Sequence, residues 1–277
     1  MTIKELLIEG SNKLKEEKIE EPILSVRILL SFLLNKPKEY LVINDKEEVE
    51  EEILKKFEEN ILKLINGVPI QYITNKQEFM KLNFYVNESV LIPRADTEIL
   101  VEEVINICKN MKKDEIKILD LCTGSGAIAI SLAKYVENVN IYASDISKNA
   151  LEVAEKNARK NNVKVDFIES NLFENIEEKF DIIVSNPPYI RTDEILILEK
   201  NVQNEPKIAL DGGEDGLMFY KKITEESINY LNKNGYLCFE IGFDQKKQVE
   251  EIAQKYYNKI YSKKDLSEND RIVVAQM

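Results

Sequence analysis

The chain has 277 residues, of which 44% are hydrophobic and 32% are charged, a balance typical of a globular protein and too apolar for a disordered one. Fifty acidic and thirty-eight basic residues give a formal net charge of -12, which disfavours sequence-independent binding to a nucleic-acid backbone. The chain contains no histidine, which excludes Ser-His-Asp and Cys-His catalysis, imidazole metal sites and histidine acid–base chemistry.

The sequence carries no sign of export or of membrane insertion. No apolar run approaches the roughly twenty residues that span a bilayer, and the charged, amphipathic N-terminus does not have the form of a signal peptide. The cysteines are odd in number and widely spaced, at Cys108, Cys122 and Cys238, which fits neither a zinc site nor a disulfide framework. We therefore expect a cytoplasmic protein without a metal and without membrane contact.

The N-terminal quarter of the chain differs in pattern from the rest. Its apolar side chains recur at helical spacing and predict a helical-bundle domain at residues 1–75. The segment EFMKLNFYVNESVLIP then changes to short strand-like runs, with Asn83 and Asn87 in turn positions. These runs predict a β-hairpin linker at residues 76–94.

From residue 95 to the end, short apolar strands alternate with amphipathic helices. The strands are predicted at residues 117–121, 140–145, 165–170, 181–186, 235–241, 259–265 and 271–276. The helices are predicted at residues 125–136, 147–162, 215–232 and 245–257. This alternation predicts an α/β domain at residues 95–277 with a mostly parallel sheet, in which ligands bind beyond the carboxyl ends of the strands.

A glycine-rich turn follows the first of these strands, in the stretch ILDLCTGSGAIAI. Glycines there let the backbone approach a ligand closely, and Asp145, at the end of the next strand, is placed to accept hydrogen bonds from ribose hydroxyls. A carboxylate at Asp120, before the turn, suits a cofactor with a cationic end and no phosphates, such as S-adenosylmethionine. Alone, the glycines also fit the relaxed dinucleotide pattern of a nicotinamide-dependent oxidoreductase, or merely a tight turn.

The strand FDIIVS ends in the tetrapeptide Asn186-Pro187-Pro188-Tyr189. The Asn186 carboxamide and the Pro187 carbonyl can each accept one N–H of a planar amine or amide. The prolines stiffen the chain, and Tyr189 offers a flat face to a π-system. Next to a cofactor turn, these residues predict a site for a planar NH2 group; a simple strand-ending turn is the alternative.

These stretches together resemble class I S-adenosylmethionine-dependent methyltransferases that act on a planar nitrogen. From about residue 67 to the end, further segments resemble the release factor glutamine methyltransferases, namely GVPIQYI, LIPRADTEILVE, EPKIALDGGEDGLMFY, EIGFDQ and DLSENDRIVVAQ. The resemblance implies a seven-stranded Rossmann-like sheet with a small N-terminal helical domain that docks the substrate. It also implies methylation of the side-chain amide nitrogen of the glutamine in the Gly-Gly-Gln motif of peptide chain release factors.

The resemblance also assigns site residues. It implies that the cofactor is bound by Asp120, Cys122, Thr123, Gly124, Ser125, Gly126, Asp145, Asn171, Leu172 and Asn186. It implies that the glutamine is held and methylated by Asn186, Pro187, Pro188 and Tyr189. Cys122 stands where the family often has glycine, and Asn171 and Leu172 stand where relatives carry an acid and an aromatic residue.

The segment IPRADTE has two interpretations. Arg94, Asp96 and Glu98 either form a salt-bridged helix start capped by Asp96 or Thr97, or shape the entrance for the substrate, with Arg94 binding it. We expect a monomer whose partners are release factors and not nucleic acid. An adenine N6-methyltransferase acting on DNA or RNA is the alternative enzyme, and a non-catalytic interaction module is the alternative of another class.

Overall fold

The computed structural model describes residues 1–277. Its helices are α1 (Ile3–Glu16), α2 (Pro22–Leu34), α3 (Lys38–Ile43), α4 (Glu51–Ile65), α5 (Ile70–Thr74), α6 (Thr97–Asn110), α7 (Ala127–Tyr135), α8 (Lys148–Asn161), α9 (Lys200–Gln203), α10 (Met218–Ser227) and α11 (Lys246–Ala253). Its strands are β1 (Gln77–Phe79), β2 (Leu82–Phe84), β3 (Ile116–Leu121), β4 (Val139–Asp145), β5 (Asp166–Glu169), β6 (Phe180–Ser185), β7 (Leu231–Glu240), β8 (Lys259–Lys264) and β9 (Asp270–Gln276). None of these helices is both long and apolar enough to cross a membrane.

The chain divides into two compact units. The first consists of residues 1–76 and 198–204, and the second of residues 77–197 and 205–277. The segment 198–204, which contains α9, joins the helical unit although it lies far along the chain. Nothing in its local sequence pattern indicates this, because its helix is only one turn long.

The first unit is a bundle of helices whose apolar stripes share one core. The buried side chains of this core are Ile3, Leu6, Leu14, Val26, Leu29, Leu30, Leu41, Val49, Phe57, Ile61 and Leu64. Helix α1 begins in a capping box, in which the Thr2 hydroxyl and the Glu5 carboxylate each accept the other residue's backbone N–H. The apolar residues that recur at helical spacing in the N-terminal sequence are therefore the ones that pack against neighbouring helices.

The second unit contains the seven-stranded sheet, in the order β5-β4-β3-β6-β7-β9-β8. The strands from β5 to β7 in that order are parallel, and β9 is antiparallel to both β7 and β8. Every residue of β6 is buried, as expected for a parallel strand covered on both faces. One apolar cluster packs the sheet against α6 and α7, and a second packs it against α10 and α11. The predicted α/β fold is confirmed.

The sheet order brings three chain segments to one place. Leu121 at the end of β3 pairs with Ser144 on one side and with Ser185 on the other. The segments that follow β3, β4 and β6 therefore leave the sheet side by side, at the point where the strand order reverses. This point is where open parallel sheets bind ligands.

Two local predictions are wrong, and in addition α11 ends at Ala253 rather than at the predicted residue 257. The hairpin between β1 and β2 turns at Met80 and Lys81, which have φ of 50° and 58°, and Asn83 lies inside β2. Positive φ at both central residues defines a type I′ turn, which normally takes Asn or Gly, so a Met-Lys pair carries no turn signal. The prediction for Asn87 is confirmed, because its Oδ1 accepts the Ser89 N–H at 3.1 Å.

The other wrong prediction concerns the end of α10. The helix was expected to reach residue 232 but ends at Ser227, whose carbonyl accepts the Tyr230 N–H at 3.0 Å. The Tyr230 carbonyl then accepts the Phe180 N–H at 2.8 Å, and Leu231 begins β7 by pairing with Phe180. Ile228, Tyr230 and Leu231 continue the helical pattern, but Leu231 is buried in β7 and the other two pack, partly buried, against the same core.

Candidate active site

The turn between β3 and α7 is held by hydrogen bonds to two carboxylates. The Gly124 N–H donates to Asp145 Oδ2 at 2.9 Å, and Thr123 Oγ1 donates to Asp120 Oδ2 at 2.6 Å. Gly124 has a left-handed φ of +54°, and a Cβ at this position would meet no atom within 4 Å. The space beside this backbone is therefore open to a ligand that makes a close approach.

Asp120 lies behind the turn and is fully buried. Its Oδ2 also accepts the Ala129 N–H at 3.1 Å, which ties the turn to the first turn of α7. Its Oδ1 has no hydrogen-bond partner. Burial raises the pKa of Asp120 to about 7, although the hydrogen bonds from Thr123 and Ala129 oppose the rise. Contact of Asp120 with the cofactor, as implied by the resemblance, stays a prediction.

We expect the Asp120→Asn variant to differ from the wild type in how its free energy of unfolding depends on pH. Burial raises the pKa of Asp120 to about 7 in the folded protein, from an ordinary value of 3.8. Between these values the folded state holds a proton that the unfolded state has lost, so this group's contribution to stability falls as the pH rises through that interval. The variant lacks this titration.

The measurement is urea unfolding of both proteins between about pH 4 and pH 8. The free energy of unfolding of the wild type minus that of Asp120→Asn should decrease as the pH rises and level off above about pH 7. Other carboxylates are common to both proteins and cancel in the difference. A difference that does not change with pH would contradict the buried titration of Asp120.

Cys122 begins the turn with φ of +60°. A left-handed conformation is unfavourable by about 1–2 kcal/mol for a residue with a Cβ, which explains why glycine suits this position in the family that the sequence resembles. The next residue fixes the turn to the sheet, because the Thr123 N–H donates to the Ser144 carbonyl at 3.0 Å. Burial raises the pKa of the Cys122 thiol, so it stays protonated and is a poor nucleophile.

A cavity of about 140 Å³ lies beyond the carboxyl ends of β3, β4 and β6. The predicted site residues that line it are Cys122, Gly124, Asp145, Asn171, Leu172, Asn186 and Pro188. Thr123, Ser125 and Gly126 shape the turn but are not among the lining residues. Several apolar residues that the sequence did not predict as site residues also line the cavity, namely Val90, Leu91, Ile146, Ile208 and Phe219.

Asp145 presents a carboxylate to this cavity from the end of β4. Its two oxygens accept one backbone N–H each, from Gly124 at 2.9 Å and from Ser147 at 2.9 Å. Burial raises the pKa of Asp145, while these hydrogen bonds oppose the rise. Each carboxylate oxygen keeps a second lone pair, so the group can still accept hydrogen bonds from a ligand.

Asn171 and Leu172 lie after β5, on another wall of the cavity. The Asn171 Nδ2 donates to Glu174 Oε1 at 2.7 Å, which leaves its Oδ1 as an acceptor. Leu172 has φ of 52°, and its carbonyl accepts the Ser170 hydroxyl at 2.8 Å. The side-chain hydrogen bond from Ser170 thus supports a conformation that is unfavourable for leucine.

The tetrapeptide 186–189 leaves β6 beside the glycine turn. Asn186 and Pro188 line the cavity, while Pro187 and Tyr189 do not. The Asn186 Nδ2 donates to Thr97 Oγ1 at 3.3 Å, which directs the amide oxygen of Asn186 away from Thr97. The Tyr189 hydroxyl donates to Glu240 Oε1 at 3.4 Å, and burial raises the pKa of Tyr189.

Other segments hold the backbone of this tetrapeptide. The Gln245 Nε2 donates to the Tyr189 carbonyl at 2.9 Å, and the Gln245 Oε1 accepts the Gly242 N–H at 3.0 Å. Gly212 approaches so closely that a Cβ there would lie 2.7 Å from the Tyr189 Cα and 2.9 Å from the Pro188 carbonyl oxygen. Only glycine leaves room for this contact, so the segments around 212 and 245 support the site without lining the cavity.

The segment IPRADTE makes ion pairs and does not cap its helix. Arg94 pairs with the buried carboxylate of Glu205, and Asp96 pairs with Arg271 at 3.1 Å. The Glu98 carboxylate accepts the Met80 N–H at 2.6 Å. The N-terminus of α6 has no side-chain cap, so capping by Asp96 or Thr97 is wrong, whereas the salt-bridged arrangement is observed. Binding of substrate by Arg94 stays a prediction.

Comparison with known proteins agrees with this arrangement. Residues 96–234 match the family model of the methyltransferase small domain, and residues 5–74 match that of the PrmC N-terminal domain. The chain is 44% identical to the release factor glutamine methyltransferase of Clostridium acetobutylicum, over 99% of this chain and 98% of that protein. It is 41% identical to the protein of the same name from Clostridium botulinum, over 100% of this chain and 99% of that protein.

Solved structures agree on the fold. A methyltransferase from Pyrococcus furiosus is 18% identical, with a TM-score of 0.54, and covers 79% of this chain and 98% of its own. At this identity the likeness concerns the fold alone. The family models, the near full-length identity to two relatives and the glycine turn beside Asn186 to Tyr189 agree with one another. The chain belongs to the release factor glutamine methyltransferase family.

Proposed function

We propose that this protein transfers a methyl group from S-adenosylmethionine to the side-chain amide nitrogen of the glutamine in the Gly-Gly-Gln motif of peptide chain release factors. The observation that carries the proposal is that Asn186 and Pro188 line the same cavity as Gly124 and Asp145. One cavity thus combines a cofactor turn with a site for a planar amide.

The lining of the cavity fits S-adenosylmethionine. The open space at Gly124 admits a ligand next to the backbone, and the Asp145 carboxylate suits the two ribose hydroxyls. Leu172 and Phe219 provide apolar surface for an adenine ring, and Asn171 Oδ1 suits its exocyclic amine. No basic side chain lines the cavity, which suits a cofactor without phosphates.

The acceptor amide would be held by Asn186 and Pro187. The Asn186 NH2 group donates a hydrogen bond to Thr97, so Asn186 Oδ1 is the atom that would accept an N–H of the glutamine. Pro187 and Tyr189 flank the lining residue Pro188, so the Pro187 carbonyl would accept the second N–H and the Tyr189 ring, whose hydroxyl is bonded to Glu240, would supply a flat wall beside the cavity. The hydrogen bond to Thr97 fixes the Asn186 acceptor before the substrate binds, and the proline ring restricts the backbone at Pro187, which favours productive orientation.

An amide nitrogen is a poor nucleophile, because its lone pair is delocalised into the carbonyl. S-adenosylmethionine supplies the methyl group on a sulfonium, which is the electrophile. Asn186 and Pro187 hold both N–H bonds, aim the nitrogen lone pair and stabilise the positive charge that develops on nitrogen. As the nitrogen–methyl bond forms, the sulfur–methyl bond would break and S-adenosylhomocysteine would leave. The methylated nitrogen is acidic and would lose its extra proton to solvent, so no strong general base is required and the absence of histidine is no obstacle.

We also propose that the helical unit, whose residues 5–74 match the PrmC N-terminal domain, docks the release factor. The alternative acceptor is the exocyclic amine of adenine in DNA or RNA, which would fit the same amide-binding residues. That reaction needs an extruded base and a basic surface for the strand, whereas this chain has a net charge of -12. We therefore favour a protein acceptor.

The test incubates the protein with methyl-labelled S-adenosylmethionine and one of three acceptors. These are a release factor, the same factor with its Gly-Gly-Gln glutamine changed to alanine, and a mixture of duplex DNA and structured RNA. We expect label in the unchanged release factor only. Label in nucleic acid but not in the release factor would refute the proposal and support the adenine alternative.

A further inference from the structure

Glu240 is a buried carboxylate beside the tetrapeptide, and the reaction just described does not use it. It ends β7 with 2% of its surface exposed. Its Oε1 accepts the Tyr189 hydroxyl at 3.4 Å, whereas its Oε2 has no hydrogen-bond partner. A buried carboxylate with an unpaired oxygen is unfavourable for stability, so its presence at this place calls for a role in the site.

Thr97 connects Glu240 to Asn186. The Thr97 hydroxyl oxygen accepts the Asn186 Nδ2–H at 3.3 Å, so its own proton must point elsewhere. The Glu240 carboxylate lies next to it: burial raises the pKa of Glu240 to about 7, and the Thr97 hydroxyl is the first of the groups that oppose this rise. Glu240 Oε2, which has no hydrogen-bond partner, is available to accept the Thr97 proton.

The other neighbours of Glu240 favour its acceptor role. Arg271 on β9 places a positive charge near the carboxylate, and Asp96 before α6 places a negative charge that is itself paired with Arg271 at 3.1 Å. Tyr220 on α10 donates to the Glu240 backbone carbonyl at 2.9 Å and so fixes the end of β7. The Tyr189 hydroxyl is the group that donates to the carboxylate in the structure, and Oε2 is left open.

We propose that Thr97 and Glu240 are positioning residues that fix the direction of the Asn186 carboxamide and of the Tyr189 ring. In this arrangement Glu240 accepts one hydrogen bond from the Tyr189 hydroxyl and one from the Thr97 hydroxyl, which itself accepts from Asn186. Because Thr97 must receive an N–H, the Asn186 amide cannot rotate by 180° without losing this bond, and its oxygen stays directed at the acceptor nitrogen. The inference rests on the proposed function, since it assigns this oxygen to the glutamine.

The kinetic test compares Thr97→Val, which keeps the shape but removes the hydroxyl, with Thr97→Ser, which keeps the hydroxyl. We expect Thr97→Val to lower kcat for release factor methylation by about 10–100-fold, with KM for the release factor changed by less than about 3-fold. Thr97→Ser should restore kcat to within about 3-fold of wild type. Glu240→Gln should also lower kcat. A glutamine amide is uncharged and accepts hydrogen bonds only at its oxygen, so it is a weaker partner for the Thr97 and Tyr189 hydroxyls.

Thr224→Val is the matched control. Thr224 is also fully buried on the second unit, but its hydroxyl has no hydrogen-bond partner. This substitution should leave kcat unchanged, which separates the loss of the Thr97 hydroxyl from the general effect of a buried Thr-to-Val change. Thermal unfolding identifies any variant that fails to fold. If Thr97→Val fails to fold, the kcat of Glu240→Gln tests the inference instead.

A second readout does not depend on the methylation reaction. The side-chain NH2 resonances of Asn186, identified by their loss in Asn186→Ala, should shift in Thr97→Val and return in Thr97→Ser in nitrogen–proton correlation spectra. Unchanged resonances, or a Thr97→Val enzyme with wild-type kcat, would overturn the positioning role. Shifted resonances together with a wild-type protein that does not methylate release factors would instead refute the proposed function and leave the positioning supported.

Discussion

Replacing Asn186 by alanine should lower the rate of methyl transfer to a release factor by about 10²–10³-fold. The substitution removes the acceptor that the cavity offers to the substrate amide, together with the hydrogen bond from Asn186 Nδ2 to Thr97. Asn186 is only half-buried, so we expect a small change in the free energy of unfolding. The measurement is incorporation of labelled methyl at saturating substrate, with thermal unfolding as a check on folding.

The matched control for this experiment is Asn110→Ala. Asn110 ends α6, and its Nδ2 donates to the Asn106 carbonyl at 2.8 Å on the helix surface. We expect wild-type turnover from this variant. If Asn186→Ala also kept near-normal turnover, Asn186 would have no part in holding the acceptor, and the proposed chemistry of the tetrapeptide would be wrong.

Asp145→Asn should weaken binding of S-adenosylmethionine by about 10–100-fold, because hydrogen bonds to a charged acceptor contribute roughly 1.5–3 kcal/mol. The carboxylate accepts the N–H groups of Gly124 and Ser147, so it orders both the turn and the end of β4. An amide can accept at only one of its two atoms, which weakens this arrangement and the contact with the ribose hydroxyls. Isothermal calorimetry with S-adenosylmethionine measures the change.

The pH dependence of binding gives this prediction a second readout. Burial raises the pKa of Asp145, so the carboxylate takes up a proton at a higher pH than an exposed aspartate. A protonated Asp145 loses acceptor strength, and the affinity for the cofactor should fall as the pH is lowered through the raised pKa. In Asp145→Asn, the loss of affinity that is caused by protonation of Asp145 should be absent.

Asp166→Asn serves as the charge-matched control. Asp166 is an exposed residue of β5 that forms a long ion pair with Lys164 at 4.0 Å. This variant loses the same charge but should bind the cofactor like the wild type, since exposed ion pairs contribute little. Equal affinities of Asp145→Asn and wild type for the cofactor would show that the carboxylate does not hold the ribose.

Local sequence pattern was enough to predict the sheet and the location of the site. Strands β3, β4 and β6 are short apolar runs, and each begins one residue before its predicted start; β3 and β4 end where predicted, and β6 ends one residue earlier. Once these strands are parallel neighbours, the turn at Gly124, the carboxylate of Asp145 and the amide of Asn186 must meet. The prediction of a cofactor turn beside an amide site needed no contact information.

The same reasoning failed where a pattern was ambiguous. Apolar residues after Ser227 continued the helical spacing of α10 but belong to a turn and to β7. The hairpin turned at Met80 and Lys81, where the strand pairing imposes positive φ on residues that do not favour it. In both cases tertiary pairing with another segment outweighed the local preference.

The sequence by itself determined the fold class, the order of strands and helices, and the chemical groups available at the ends of β3, β4 and β6, because these depend on periodicity and on residue type. Only the tertiary structure decided which side chains hold those groups. Asn186 meets Thr97 across 89 positions of sequence, and Arg94 meets Glu205 across 111. Such contacts arise from the packing of whole elements, and no spacing within a local segment encodes them.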